Sequence, residues 1–120
     1  MHRSKWMEYV VLDRALRATD PNGYPIILGD FLLSFKEKLA DTEDGEVVDA
    51  MKRLCPRFLA LRKYDSSLRG FRDYADDDHD FFYRGDFRLK STPFTRSRLE
   101  ELAAELPLPE PEKRPIGFKP

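Results

Sequence analysis

The chain has 120 residues, of which 41% are hydrophobic and 12% aromatic. A chain of this length can bury a core without disulfide or metal cross-links, so its length and composition predict one globular domain and exclude a disordered chain. Charged residues make up 36% but cancel to a net charge of −1, which disfavours a general polyanion binder. The single cysteine, Cys55, excludes an internal disulfide and any multi-cysteine metal site, and no apolar run is long enough to span a bilayer. We therefore expect a cytoplasmic protein with no membrane partner.

The first 55 residues contain three segments whose apolar side chains recur at helical spacing. The predicted helices cover residues 4–18, 31–39 and 45–55. Ser4 and Asp30 are the predicted N-caps of the first two. Proline cannot continue the helical hydrogen-bond ladder, so Pro56 ends the third helix. Between the first two helices, TDPNGYP predicts a turn and YPIIL a very short strand.

The period of the apolar residues changes after Pro56. Residues 58–64, FLALRKY, are apolar at their start and polar at their end, which predicts a strand, and the polar segment 65–80 predicts a loop. Residues 81–90 alternate between apolar and charged, which predicts a half-buried strand with a bulge at Gly85. The residues predicted to point inward are Phe81, Tyr83, Phe87 and Leu89. Those predicted to point outward are Phe82, Arg84, Asp86, Arg88 and Lys90.

A final amphipathic helix is predicted after this strand. Thr92 is its predicted N-cap and Pro93 its first residue. Its apolar face consists of Leu99, Leu102, Ala103 and Leu106. The proline-rich segment that follows is predicted to be extended. These patterns assign residues 1–106 to the domain and residues 107–120 to a tail.

The ending LKSTPFTRSRLEEL resembles the LTPxGRxxLExL ending of bacterial winged helix-turn-helix domains. The matching positions are Leu89, Thr92, Pro93, Arg96, Leu99, Glu100 and Leu102. Thr95 stands where the family usually has glycine. The segment EVVDAMKRLCPRFLALRKYD likewise resembles the third helix and first wing strand of that family. The resemblance implies an α+β, winged helix-like fold with three N-terminal helices, a two- or three-stranded antiparallel wing and a C-terminal helix.

The acidic segment DDDHD is then expected to be a solvated loop at the tip of the wing, between its two strands. The aspartates from Asp76 to Asp80 have the alternation of a calcium loop, but Phe81 and Phe87 stand where that loop needs glycine and a bidentate glutamate. The two histidines, His2 and His79, have no spacing that pairs them with a nucleophile. We therefore expect no metal site, no cofactor, no small-molecule substrate and no enzymatic activity.

Two functions remain open at this point. The resemblance implies a small DNA-binding, transcription-regulator-like protein whose recognition helix is 45–55. Its predicted contacts to double-stranded DNA are Lys52, Arg53, Arg57, Arg69 and Arg72. Glu46 and Asp49 on the same helix oppose phosphate binding. The alternative is a protein-interaction or dimerisation module without DNA binding, in which the first helix forms a homodimer through Trp6, Met7 and Tyr9.

Overall fold

A computed structural model describes residues 3–106, which form four helices and a four-stranded antiparallel sheet. The α+β class is therefore confirmed. The predicted tail, residues 107–120, lies outside the described residues. The elements are α1 Arg3–Leu16, β1 Tyr24–Ile26, α2 Leu28–Lys36, α3 Asp44–Leu54, β2 Leu59–Asp65, β3 Gly70–Asp73, β4 Phe87–Ser91 and α4 Thr95–Glu105.

The strands lie in the order β1-β4-β2-β3, so β1 and β3 form the two edges of the sheet. Leu61 in β2 is opposite Leu89 in β4, and Ile26 in β1 is opposite Phe87. All four side chains are buried, because they share the face on which the core packs. The residues that alternate with them along each strand point away from that core.

Helix α1 lies at the centre of the helical layer and contacts α3, α4 and β4. Met7 is completely buried, and the indole of Trp6 packs edge-to-face on Phe35 with the ring centroids 5.5 Å apart. Tyr9 is half-buried against the same core. The side chains predicted to form a dimer interface therefore pack largely inside the domain, and the structure gives no support to dimerisation through this helix.

The helix starts differ from the predicted caps. Ser4 lies inside the first turn of α1, and α2 begins two residues before Asp30. Ile27 occupies the N-cap position of α2 in an extended conformation, and its carbonyl accepts the N–H of Phe31. This helix therefore begins where the extended backbone after β1 ends, without a side-chain cap. A sequence pattern of capping residues cannot predict such a start.

Helix α4 begins at Thr95 rather than at Pro93, because two threonines bind the segment before β2. The hydroxyl of Thr92 donates to the carbonyl of Arg57 at 2.6 Å and accepts the N–H of Phe94. The hydroxyl of Thr95 donates to the carbonyl of Phe58 at 2.7 Å, and this side chain is completely buried. A glycine at residue 95 would lose that bond, so threonine has a structural role here.

The largest error of the sequence prediction concerns residues 65–90. The segment predicted to be a loop contains strand β3, and the strand predicted over 81–90 begins only at Phe87. Phe82 is buried, whereas Tyr83 is 56% exposed, the reverse of the predicted alternation. The carbonyl of Asp80 accepts the N–H groups of both Tyr83 and Arg84, and Gly85 has a φ of 72°, so the chain turns there instead of extending.

The acidic segment is also misplaced by the sequence prediction. The β2–β3 turn, residues 66–69, is the tip of the hairpin, and the acidic residues lie after β3 in the connection 74–86. This connection contributes the buried rings of Phe81 and Phe82 to the core. It is therefore packed on the domain by its aromatic end rather than solvated along its whole length.

Candidate nucleic-acid interface

Helices α2 and α3 are joined by the short connection 37–43. Within it the carbonyl of Leu39 accepts both the N–H and the hydroxyl of Thr42, whose side chain is buried. Helix α3 buries the apolar stripe Val47, Val48, Met51 and Leu54. The helical spacing of this stripe turns Asp49, Lys52 and Arg53 toward solvent.

The exposed side of α3 is divided by charge along its length. Its first turn carries Asp44 and Glu46, and its last turn carries Lys52 and Arg53. Arg3 forms a two-pronged contact with Glu46, one arm at 2.9 Å, and also pairs with Asp41 at 3.0 Å. The hydrogen bond from Arg3 holds the pKa of Glu46 below its usual range. Only the C-terminal end of α3 therefore offers cations to an anionic partner.

Arg53 has an internal partner. Its Nε donates to a carboxylate oxygen of Glu8 at 2.9 Å, and the Glu8 side chain is 12% exposed against 45% for Arg53. A carboxylate this deeply placed is costly to leave without a partner. Arg53 therefore links α3 to α1, and its charge is largely used within the domain.

Arg57 has aromatic rather than acidic neighbours. Its guanidinium lies 5.1 Å from the ring centroid of Phe94 and 5.5 Å from that of Phe58. Lys52 is placed over the ring of Phe82 at 5.9 Å. Neither cation has a carboxylate within ion-pair distance in the described part of the chain. Their positive charge therefore remains available at the end of α3.

The two remaining predicted contacts lie on the β2–β3 hairpin, and only one of them is paired with carboxylates. Arg69 is exposed in the turn, with a φ of 54°, and has no acidic partner among residues 3–106. Arg72 pairs with Asp65 at 3.3 Å and also with Asp78 of the acidic connection. Arg72 thus fixes the connection to the sheet instead of facing a ligand.

The five predicted contacts therefore do not form one continuous positive face. Arg57 precedes β2 and Arg69 follows it, so the seven-residue strand separates them by about 20 Å. Arg53 and Arg72 are paired with carboxylates. The available charge consists of Lys52 and Arg57 at one end and Arg69 at the hairpin tip.

One group of residues was not predicted as a site. The face of the sheet opposite the core carries Arg62, Tyr64, Phe71, Arg88 and Lys90. The sequence prediction treated Arg88 and Lys90 as outward-facing but missed β3, so the ring of Phe71 was not placed beside them. The signal that could have found it is the turn DSSLRG between two short segments of strand-forming residues.

The thiol of Cys55 is half-buried beside a cavity of about 170 Å³ that Pro56, Leu59 and Tyr74 also line. Burial, with a smaller contribution from Asp76, raises the pKa of Cys55 to about 12. The reactive thiolate is therefore scarce at neutral pH. This environment is that of a packing residue.

Alkylation of Cys55 should accordingly be slow in the folded protein. The pKa of this thiol is near 9 in the unfolded chain and about 12 in the folded protein. The thiolate fraction of the folded protein at pH 8 should therefore be about a thousandfold smaller than that of the unfolded chain. Mass spectrometry of iodoacetamide labelling with and without 8 M urea measures the ratio of rates. Equal rates in the two conditions would contradict this, because they would show that the thiol is accessible and has an ordinary pKa.

No group of three or more His, Cys, Asp or Glu side chains among residues 3–106 is arranged to hold a metal ion. None of the helices in this range has both the length and the apolar character needed to cross a membrane. Comparisons of the chain with protein-family models, with curated proteins and with solved structures find no match.

Proposed function

We propose that this chain is a winged helix-like domain that binds double-stranded DNA through the C-terminal end of α3 and the β2–β3 turn. The proposal is supported by the order of elements, in which two helices joined by a short connection are followed by an antiparallel hairpin. In helix-turn-helix proteins the second helix of such a pair lies in the major groove, and we infer that the hairpin of this chain reaches the flanking backbone.

The observation that carries the proposal is that three of the five predicted contacts have no carboxylate partner in the described chain. Lys52 and Arg57 lie at the end of α3 and Arg69 at the hairpin tip. Their separation of about 20 Å corresponds to about six base pairs at a rise of 3.4 Å. The two ends can therefore contact phosphates at separate points of one duplex.

The acidic first half of α3 limits how the duplex can lie. Asp44 and Asp49 would repel phosphates if the helix entered a groove by its N-terminus. We therefore infer that α3 approaches by its C-terminal end. With three phosphate contacts, the logarithm of the affinity should fall with the logarithm of salt concentration with a slope near −3, and binding should be weak, with Kd on the order of 10⁻⁴ to 10⁻⁶ M.

The test is a fluorescence anisotropy titration of a labelled 20-base-pair duplex at 50 and 150 mM salt. Arg57→Gln should weaken binding and reduce the salt slope by about one. Arg17→Gln is the matched control, because Arg17 is exposed immediately after α1 and, among the described residues, pairs with Asp13. A wild-type protein without salt-dependent binding, or equal effects of the two variants, would refute the proposal.

A protein partner is the second candidate, and a different surface favours it. Ile27 and Leu33 are 56% and 61% exposed at α2. Ile27 borders a groove of about 300 Å³, into which Arg14 places its guanidinium over the rings of Tyr24 and Phe31. A concave groove with an exposed aliphatic side chain at its rim is a place where a partner's side chain can be buried. Failure of the duplex titration would make this surface the next to test.

A further inference from the structure

The face of the sheet opposite the core is a defined surface that the proposed duplex binding does not use. We call it the outer sheet face, and it consists of Arg62, Tyr64, Phe71, Arg88 and Lys90. Arg62 is opposite Arg88 in the β2–β4 pair, and Tyr64 is opposite Phe71 in the β2–β3 pair. The strand alternation places these residues on one side and the buried Leu61 and Leu89 on the other.

Aromatic rings and guanidinium groups are interleaved on this face. The ring of Tyr64 packs edge-to-face on that of Phe71, with centroids 5.6 Å apart, and is 56% exposed. The guanidiniums of Arg88 and Arg62 lie 5.2 Å and 6.0 Å from the centroid of Phe71. Rings and guanidinium planes are the groups on which nucleic-acid bases stack.

The cations of this face are held in place by the turn before β1. Arg62 donates to the side-chain oxygen of Asn22 at 3.1 Å, Arg88 to the carbonyl of Gly23 at 3.2 Å, and Lys90 to the carbonyl of Pro21 at 2.9 Å. These acceptors are neutral, so they orient the cations without cancelling their charge. The positions are therefore fixed before any ligand arrives.

Two carboxylates compete for these cations. Asp73 lies 3.2 Å from Arg62, and Asp20 lies 3.4 Å from Arg88. The Asp73 side chain is 81% exposed and that of Asp20 47%, but Arg62 and Arg88 are only 26% and 20% exposed, so these carboxylates neutralise part of the charge of the two arginines. Lys90 has no carboxylate within ion-pair distance in the described residues. The outer sheet face therefore keeps an excess of positive charge.

From this combination we propose that the outer sheet face binds an unpaired strand of nucleic acid through its phosphates and the flat faces of its bases. A duplex does not fit the same surface, since its base faces are hidden in the stack and an exposed ring has nothing to stack on. The outer sheet face runs from Lys90, opposite Ala60, to Tyr64, which is about 13 Å at the rise of a strand and suits a site of about four nucleotides at about 3.4 Å each. The proposal is independent of duplex binding at α3.

The test uses the full chain and a fluorescein-labelled 12-nucleotide oligothymidylate in an anisotropy titration. Tyr64→Ala should weaken binding roughly tenfold, because one stacked base loses its platform, whereas Tyr64→Phe should retain binding. Lys90→Gln should reduce the salt slope by about 0.7. Tyr83→Ala is the matched control, because this tyrosine is also 56% exposed but lies in the connection before β4.

The outcomes separate the two proposals. Tyr64→Ala binding as tightly as wild type, or an unlabelled duplex of the same length competing as well as the unlabelled single strand, would overturn the outer-face proposal. A thermal melt of Tyr64→Ala matching that of wild type shows that any loss belongs to the site. Loss of duplex binding in Arg57→Gln with single-strand binding retained assigns the two ligands to two surfaces.

Discussion

Replacing Phe82 by alanine is expected to lower the free energy of unfolding by about 3–5 kcal/mol. Its side chain is 2% exposed, and its ring packs on those of Tyr74, Phe81 and Phe87 at centroid distances of 5.3, 5.1 and 5.4 Å. Removing the ring leaves a cavity among aromatic neighbours that cannot all move in to fill it. Urea denaturation followed by circular dichroism measures the loss.

Tyr83→Ala is the matched control for this substitution. The neighbouring Tyr83 is 56% exposed, so its truncation should change stability by less than about 0.5 kcal/mol. A regular strand over residues 81–90 requires the opposite order, with the larger loss at Tyr83. That order of effects would show that Phe82 is not buried in the core.

Gly23→Ala is expected to destabilise the fold by about 2–4 kcal/mol, because it combines a strained backbone with a close contact. Gly23 has a φ of 109°, and an added Cβ would lie 2.7 Å from the carbonyl oxygen of Leu89. That oxygen belongs to β4, so relief of the contact requires a shift of the sheet backbone. The carbonyl of Gly23 also accepts a hydrogen bond from Arg88, so a displaced turn would disturb the outer sheet face.

Gly45→Ala provides the comparison for this effect. Gly45 lies in the first turn of α3, and a Cβ there would meet nothing within 4 Å. Alanine restricts the unfolded chain more than glycine, so this variant should be neutral or up to about 1 kcal/mol more stable. Thermal melts of both variants measure the difference, and equal melting temperatures would contradict the close approach of Gly23 to β4.

The elements that the sequence predicted correctly are those specified by local patterns. The apolar spacing of Val47, Met51 and Leu54 needs only a helix to become a buried stripe, and it is one. Strand β2 likewise follows from a short segment that is apolar at its start and polar at its end. Both patterns lie within the segment itself and do not depend on distant contacts.

The elements that were predicted wrongly depend on contacts distant in sequence. Residues 81–86 have an alternating pattern, but Lys63 donates to the carbonyl oxygens of Phe81 and Arg84 and helps to hold a turn there. No local pattern contains that information. The same holds for the candidate site, since the partner of Arg53 is Glu8, 45 residues earlier in the chain.

The ion pairs determine which substitutions can test DNA binding without also changing stability. An Arg53→Ala variant would leave Glu8 without its partner, so a loss of DNA binding would be confounded by a loss of stability. Arg57 contacts aromatic rings and has no carboxylate partner in the described chain. A loss of DNA binding on substitution of Arg57 can therefore be assigned to a lost contact with DNA more directly than the same loss on substitution of Arg53.

Amide chemical-shift mapping tests most directly whether the C-terminal end of α3 and the hairpin tip contact duplex DNA. A ¹⁵N-labelled protein is titrated with an unlabelled 20-base-pair duplex at 50 mM salt, then returned to its free spectrum by raising the salt. We expect the largest shifts at residues 52–57 and 66–69, with small shifts over the acidic residues 44–49. An unchanged spectrum, or shifts confined to α2 and its groove, would contradict the claim.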